Sequence, residues 1–213
     1  MSSTNRGGQR SDADAYCSPL WTVRRLIENS NADHDPDGPR LLEVDGPWLE
    51  PGAGEGHIIR AVREFRPELR FTAVDVREEC STLLKRLGNI QVHCPRDFFN
   101  WTIRSRQKYT VTITNPPFRL ALEFIECAMR VTTHAVIMLL RFNFLGSEKR
   151  HPFFREHMPH RAYLLPNRPP FTADGGTDSI EYAWYVWLLD QPPAQRCEVE
   201  LLDLTPLSER KLG

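Results

Sequence analysis

The segment Trp48-Leu49-Glu50-Pro51-Gly52-Ala53-Gly54-Glu55-Gly56 constrains this chain more than any other stretch of its 213 residues. Its apolar start reads as a strand and its spaced glycines as a tight loop, with Ile58, Val62 and Phe65 recurring at helical spacing behind it. Strand, glycine loop and helix together open an α/β unit. Glycine lacks a Cβ and tolerates positive φ, so such a loop lets backbone approach a ligand closely, and the amides at the helix start can receive a carboxylate. The spacing departs from the dinucleotide pattern G-x-G-x-x-G, and no Lys-Ser/Thr pair follows as in a phosphate-binding loop. A short strand, Phe71 to Val74, then delivers Asp75, about 20 residues past the loop, where a carboxylate is placed to bind both hydroxyls of a ribose.

Elements alternate regularly on either side of this unit. Ser18 is expected to cap a helix with Pro19 at its first position and Leu20, Val23 and Ile27 as its buried stripe. Strands are expected at 47–50, 70–75, 90–93 and 109–114, and helices at 54–66, 77–87 and 119–131. Ala135 to Leu140 reads as a fully buried strand, followed by a polar helix near 147–158, a short strand near 161–165 and a last strand from Glu181 to Leu189. Trp184 and Trp187 in that last strand read as packing residues. The expected fold class is α/β, a doubly wound, mostly parallel sheet with ligands at the carboxyl ends of its strands.

The second chemical signal is Asn115-Pro116-Pro117-Phe118, directly after the strand Tyr109 to Thr114. Both prolines fix φ, and Pro116 keeps Asn115 out of the helical region, so a polar corner is held stiff at the strand end. Two acceptors, the Asn115 side-chain oxygen and the Pro116 carbonyl, can each take one hydrogen of an exocyclic NH2 and draw its lone pair toward a methyl donor. Phe118 offers a face for stacking. Asn-Pro is also ordinary turn chemistry, and the tetrapeptide alone leaves both readings open.

With Glu50 to Gly56, Asp75 and Asn115 to Phe118 together, the chain resembles the S-adenosylmethionine-dependent N6-adenine DNA methyltransferases, most closely their small phage-type or orphan members. The resemblance covers roughly residues 15 to 189 and adds Tyr16-Cys17-Ser18-Pro19, Arg96-Asp97-Phe98-Phe99 and Asn167-Arg168-Pro169-Pro170-Phe171. It implies a Rossmann-like class I methyltransferase fold without a separate large target-recognition domain. It also implies S-adenosylmethionine as cofactor, S-adenosylhomocysteine as product, and a flipped adenine as target. The implied cofactor residues are Tyr16, Ser18, Pro19, Glu50, Pro51, Gly52, Ala53, Gly54, Gly56, Asp75, Val76, Asp97, Phe98 and Asn115. The implied catalytic corner is Asn115, Pro116, Pro117 and Phe118, with Phe171 on the far face of the target base. Ser18 stands where Thr is more usual in the family.

Charge distribution matters more than the formal net of −1. Residues 141–168 carry six Lys/Arg against two acids, a local excess that favours phosphate and points to DNA as partner, through Arg141, Lys149, Arg150 and Arg168. The same run reads equally as a solvated face. His151, His157 and His160 lack a ligand pattern, so no metal is expected. Five scattered cysteines without a C-x-x-C pair argue against disulfides and zinc, and Cys94-Pro95 reverses the order used by cytosine-C5 enzymes. No apolar run is long enough for a bilayer and the polar start has no signal core, so a cytoplasmic protein with no membrane partner is expected, monomer or homodimer. The expected organisation is a disordered tail 1–14, a methyltransferase domain 15–205 with an insertion about 29–40 and a basic segment about 141–170, and a tail 206–213. RNA methylation and a catalytically silent nucleic-acid-binding module stay open as alternatives. Methylation of a protein amide is disfavoured, since Tyr more often replaces Phe118 there.

Overall fold

The computed structural model describes residues 17–31, 38–171 and 179–210. Eight strands form one sheet: β1 (Trp48–Pro51), β2 (Phe71–Val74), β3 (Ile90–His93), β4 (Tyr109–Thr114), β5 (Thr132–Arg141), β6 (Arg161–Leu164), β7 (Tyr182–Leu188) and β8 (Glu198–Leu201). Their spatial order is β3-β2-β1-β4-β5-β7-β6-β8. The first five run parallel, β7 is antiparallel to both β5 and β6, and β8 is parallel to β6.

The alternation of side chains along the central strands explains two separate cores. In β5, Ala135, Ile137 and Leu139 face helices α1 (Leu20–Ser30), α2 (His57–Phe65) and α3 (Cys80–Arg86), while Val136, Met138 and Leu140 face α4 (Phe98–Arg104), α5 (Ala121–Val131) and α6 (His151–Glu156). In β7, Trp184 belongs to the first core and Trp187 to the second. Both are at most 2% exposed, and their indole N–H groups donate to the carbonyls of Thr22 and His157. They are packing residues, as expected.

Several elements differ from the sequence-based expectations. Helix α1 starts at Leu20 with Pro19 as its N-cap and no side-chain cap bond, so Ser18 does not cap it; the Thr22 amide and hydroxyl both reach the Pro19 carbonyl instead. Asn29 and Ser30, placed in the expected insertion, close α1 and are buried, because the Asn29 amide and Ser30 hydroxyl bond back to the carbonyls of Arg25 and Ile27. Helix α4 was not expected. It begins at Phe98 because the Asp97 carboxylate caps it, accepting from the Asn100 amide. Strand β8 was also missed, since two glutamates alternate with Val199 and Leu201 at an edge with little burial. Helix α2 starts later than expected, because Gly52, Gly54 and Gly56 all hold positive φ (67°, 54° and 77°).

Residues 1–14 of the expected N-terminal tail and 32–37 of the insertion lie outside the described residues, as do 211–213. Residues 206–210 turn back on α1 through an Arg25–Glu209 ion pair of 3.2 Å. Among the described residues no helix is long and apolar enough to cross a membrane.

At Gly56 the left-handed backbone coincides with crowding: a Cβ there would sit 2.6 Å from Leu87 Cδ1 and 3.1 Å from Leu84 Cδ2. Gly56→Ala is expected to cost about 1–2 kcal/mol, mostly from the left-handed conformation. A lower urea midpoint with an unchanged slope is the expected reading, and an unshifted midpoint would show that the loop relaxes freely.

Candidate active site

The chain winds outward from β1 through β2 to β3, then crosses back to place β4 on the other side of β1. This reversal opens a crevice at the carboxyl ends of β1 and β4. A cavity of about 260 Å³ occupies it. The two strand ends are tied together by the Thr114 hydroxyl, which donates to the Pro51 carbonyl at 2.5 Å.

On the β1 side, the glycine loop is fastened to β2. The Gly52 amide donates to the Val74 carbonyl at 2.7 Å, and the Gly54 amide to Asp75 Oδ2 at 2.7 Å. Glu50 is 2% exposed, and its Oε2 has no hydrogen-bond partner. Burial pushes its carboxyl well above the usual range, and the charge of Asp75 adds to this against the opposing Ile59 amide and Arg60.

Asp75 is buried at the end of β2 and accepts four hydrogen bonds. Besides the Gly54 amide on Oδ2, the Arg77 amide and Nε reach Oδ1 at 2.9 and 3.1 Å, and Arg77 Nη2 reaches Oδ2 at 3.2 Å. Val76, 54% exposed, lines the cavity beside it. Across from it lie Asp97, Phe98 and Phe99, with Phe98 and Phe99 packed against Phe124 at ring separations of 5.1 and 5.3 Å.

On the β4 side, Asn115 lines the same cavity. Both amide atoms, Oδ1 and Nδ2, are buried without a hydrogen-bond partner. Pro117 also lines the cavity, while Pro116 is buried behind the corner.

The structure thus gathers Ser18, Glu50, Gly52, Ala53, Gly54, Asp75, Val76, Asp97, Phe98, Asn115 and Pro117 around one cavity. Pro19, Pro51, Gly56, Pro116 and Phe118 are not among its lining residues. Tyr16 lies outside the described residues. Phe171 is not an open stacking surface opposite Phe118, contrary to expectation. It is 6% exposed and meets Phe118 edge to face at 6.2 Å, because Tyr182 holds it in the core at 4.7 Å. Phe118 itself packs on Tyr182 at 5.5 Å, with the Arg141 guanidinium 5.1 Å from its centroid.

The basic segment is less available than its composition suggests. Arg150 donates to the Phe144 carbonyl and lies over the Phe144 ring at 4.3 Å, Arg168 pairs with Glu181 at 2.6 Å, and Arg161 pairs with Glu198 at 2.7 Å. Arg150, expected to face phosphate, is turned onto Phe144, six residues before it. Lys149 is exposed.

Sequence reasoning missed Arg77, Cys17, Glu55, His57 and Phe124 on the cavity wall. Phe124 lies on the buried face of α5, and that face abuts Gly52, where a Cβ would lie 3.6 Å from the ring. Arg77 carried no signal beyond standing two residues past Asp75.

No protein-family model matches the chain, and no curated protein matches it in sequence. Solved structures do match it. A protein of Listeria monocytogenes described as a class I S-adenosylmethionine-dependent methyltransferase superposes with a TM-score of 0.62 at 13% identity, over 91% of this chain and 68% of the other. A protein of Pyrococcus horikoshii described as an RNA methyltransferase gives 0.61 at 14% identity, over 87% of this chain and 94% of the other. The M protein of the type I restriction enzyme EcoKI gives 0.53 at 14% identity, over 78% of this chain but 43% of its own length. At these identities the likeness is one of fold: a doubly wound, mostly parallel, Rossmann-like class I methyltransferase fold, with no large additional domain among the described residues.

Proposed function

We propose that this protein transfers a methyl group from S-adenosylmethionine to an exocyclic amino group of a nucleobase, with N6 of adenine in DNA as its target. The observation that carries the reading is Asn115. Each buried polar atom left without a partner costs about 1–3 kcal/mol, and Asn115, which lines the cavity at the end of β4, has two such atoms. An amine supplies what Oδ1 lacks, a hydrogen to accept.

The cavity also suits the cofactor. The unpartnered Oε2 of Glu50 fits an ammonium, the first turn of α2 a carboxylate, Asp75 a ribose diol, and Val76 with Phe99 the faces of an adenine. When bound, S-adenosylmethionine supplies an electrophilic methyl group on a sulfonium. The chain's own task is to hold the amine: Asn115 Oδ1 and the Pro116 carbonyl accept its two hydrogens, which turns the nitrogen lone pair toward the methyl donor. Drawing the base from its stack costs a few kcal/mol, which contacts within the pocket offset. Catalysis then rests on positioning and electrostatics, without a strong base before transfer.

RNA is the second reading. It is favoured by the likeness to the Pyrococcus horikoshii protein described as an RNA methyltransferase, over nearly that protein's whole length. Incubating the full chain with methyl-tritiated S-adenosylmethionine and, separately, duplex DNA, RNA and protein tests both. N6-methyladenine in DNA is the expected product. Label in RNA alone would move the target to RNA, and cofactor binding without label in any polymer would leave a silent binding module.

Glu50 adds a pH dependence. Its folded carboxyl holds a proton above the ordinary carboxylate range, so the folded state binds more protons than the unfolded one there. Stability of the ligand-free protein therefore falls as pH rises from that range toward the raised value. An ammonium at Oε2 favours the carboxylate and releases the proton, so stabilisation by S-adenosylhomocysteine should grow with pH over the same window. Thermal unfolding across pH reads this, and Glu50→Gln should flatten the dependence. A ligand-induced shift independent of pH in the native protein would remove Glu50 from the ammonium site.

A further inference from the structure

The Asp75 carboxylate is already full. A carboxylate offers about four lone-pair positions, and all four are engaged: two by backbone amides, from Gly54 and Arg77, and two by the Arg77 guanidinium. The backbone bonds are built into the glycine loop and the turn after β2. The side-chain bonds are exchangeable, one on each oxygen.

We propose that Arg77 is a specificity-determining residue that occupies the diol-binding positions of Asp75 and yields them to a ligand with two adjacent hydroxyls. This rests on the cofactor reading above and goes beyond it. A diol presents two O–H donors at the separation of the two carboxylate oxygens, so it replaces Arg77 Nε on Oδ1 and Arg77 Nη2 on Oδ2 together. A ligand with one hydroxyl replaces one bond and leaves the guanidinium fork half-engaged in the space the sugar needs. The geometry puts the fork in that space: Arg77 Nη2 lies 3.0 Å from where a Cβ on Gly54 would sit, so the guanidinium stretches over the glycine loop. Its side chain is 24% exposed against 3% for Asp75, so it can leave while the carboxylate stays. Glu55 lines the same cavity and offers the displaced cation another carboxylate.

Competition of this kind lowers apparent affinity by the fraction of molecules in which the carboxylate is free. Removing the arm should tighten binding. Calorimetry with S-adenosylhomocysteine and its 2′-deoxyribose analogue, on the native chain, Arg77→Ala and Arg77→Lys, tests this. Arg77→Ala should bind S-adenosylhomocysteine roughly tenfold more tightly than the native chain, and the native preference for the full ribose over the deoxy analogue should shrink several-fold. Arg77→Lys, which keeps the charge but not the fork, should fall between them. A thermal scan of each variant shows that it is folded. If the native chain binds S-adenosylhomocysteine and Arg77→Ala binds it equally or more weakly, Arg77 merely supports Asp75 and the inference is overturned while the cofactor reading stands. If neither protein binds it, the cofactor reading fails and takes this inference with it.

Discussion

Asn115→Ala is expected to lower methyl-transfer turnover by about a thousandfold or more, roughly 4 kcal/mol of transition-state stabilisation, in the range seen when one preorganised polar group is removed from a reacting centre. S-adenosylhomocysteine affinity should stay within about tenfold, since a single lost contact to a neutral group contributes about 0.5–1.5 kcal/mol at most. The reasoning turns on which state uses the side chain. Oδ1 and Nδ2 are buried and unpartnered in the ligand-free fold, so Ala removes a destabilising feature and the variant should unfold no more easily than the native chain. Turnover lost together with retained or raised stability would separate a role in transfer from a role in packing. Asn115→Asp sharpens the point: it keeps an acceptor but places a charge where two neutral atoms are now buried. Retained turnover in Asn115→Ala would end the assignment.

Why Asn115 was legible beforehand, and Arg77 was not, follows from the kind of constraint each obeys. Asn115 stands before two prolines at a strand end, and Asp75 ends the strand after a glycine loop; both positions are dictated by backbone geometry, which leaves a pattern in the residues around them. The buried strand β5 was legible from its unbroken apolar run, Ala135 to Leu140. Arg77 acts through a flexible side chain folding back two residues, and nothing in local spacing records that. Helix α4 was hidden because Asp97 and Phe98 figured only as implied cofactor residues, whereas the Asp97 cap is what starts the helix. Phe171 was misjudged because an aromatic after two prolines gives no sign of its depth; Tyr182, distant in sequence, draws it inward. The basic run misled in the same direction, since its partners Glu181 and Glu198 lie outside it in the chain.

Asp75→Ala should act with the opposite sign to Arg77→Ala, and the pair give the second large effect. Two charge-assisted hydrogen bonds to a diol, at about 1.5 kcal/mol each, amount to roughly a hundredfold in affinity. The native carboxylate must first release Arg77, so it realises only part of that. Asp75→Ala is therefore expected to bind S-adenosylhomocysteine about tenfold more weakly than the native chain and about a hundredfold more weakly than Arg77→Ala. The two substitutions share the two guanidinium–carboxylate bonds, so they cannot be additive. In the Asp75→Ala background, Arg77→Ala should bring no tightening, because there is no carboxylate left for which to compete. The Gly54 amide loses its acceptor as well, so Asp75→Asn, whose oxygen can still serve Gly54, is the control for a loosened loop. Calorimetry on the four proteins of this cycle measures the coupling directly. An Asp75→Ala protein that binds S-adenosylhomocysteine as the native chain does would show that the ribose sits elsewhere. A tenfold gain from Arg77→Ala that persists without Asp75 would show that the guanidinium obstructs the cavity by bulk rather than by holding the carboxylate.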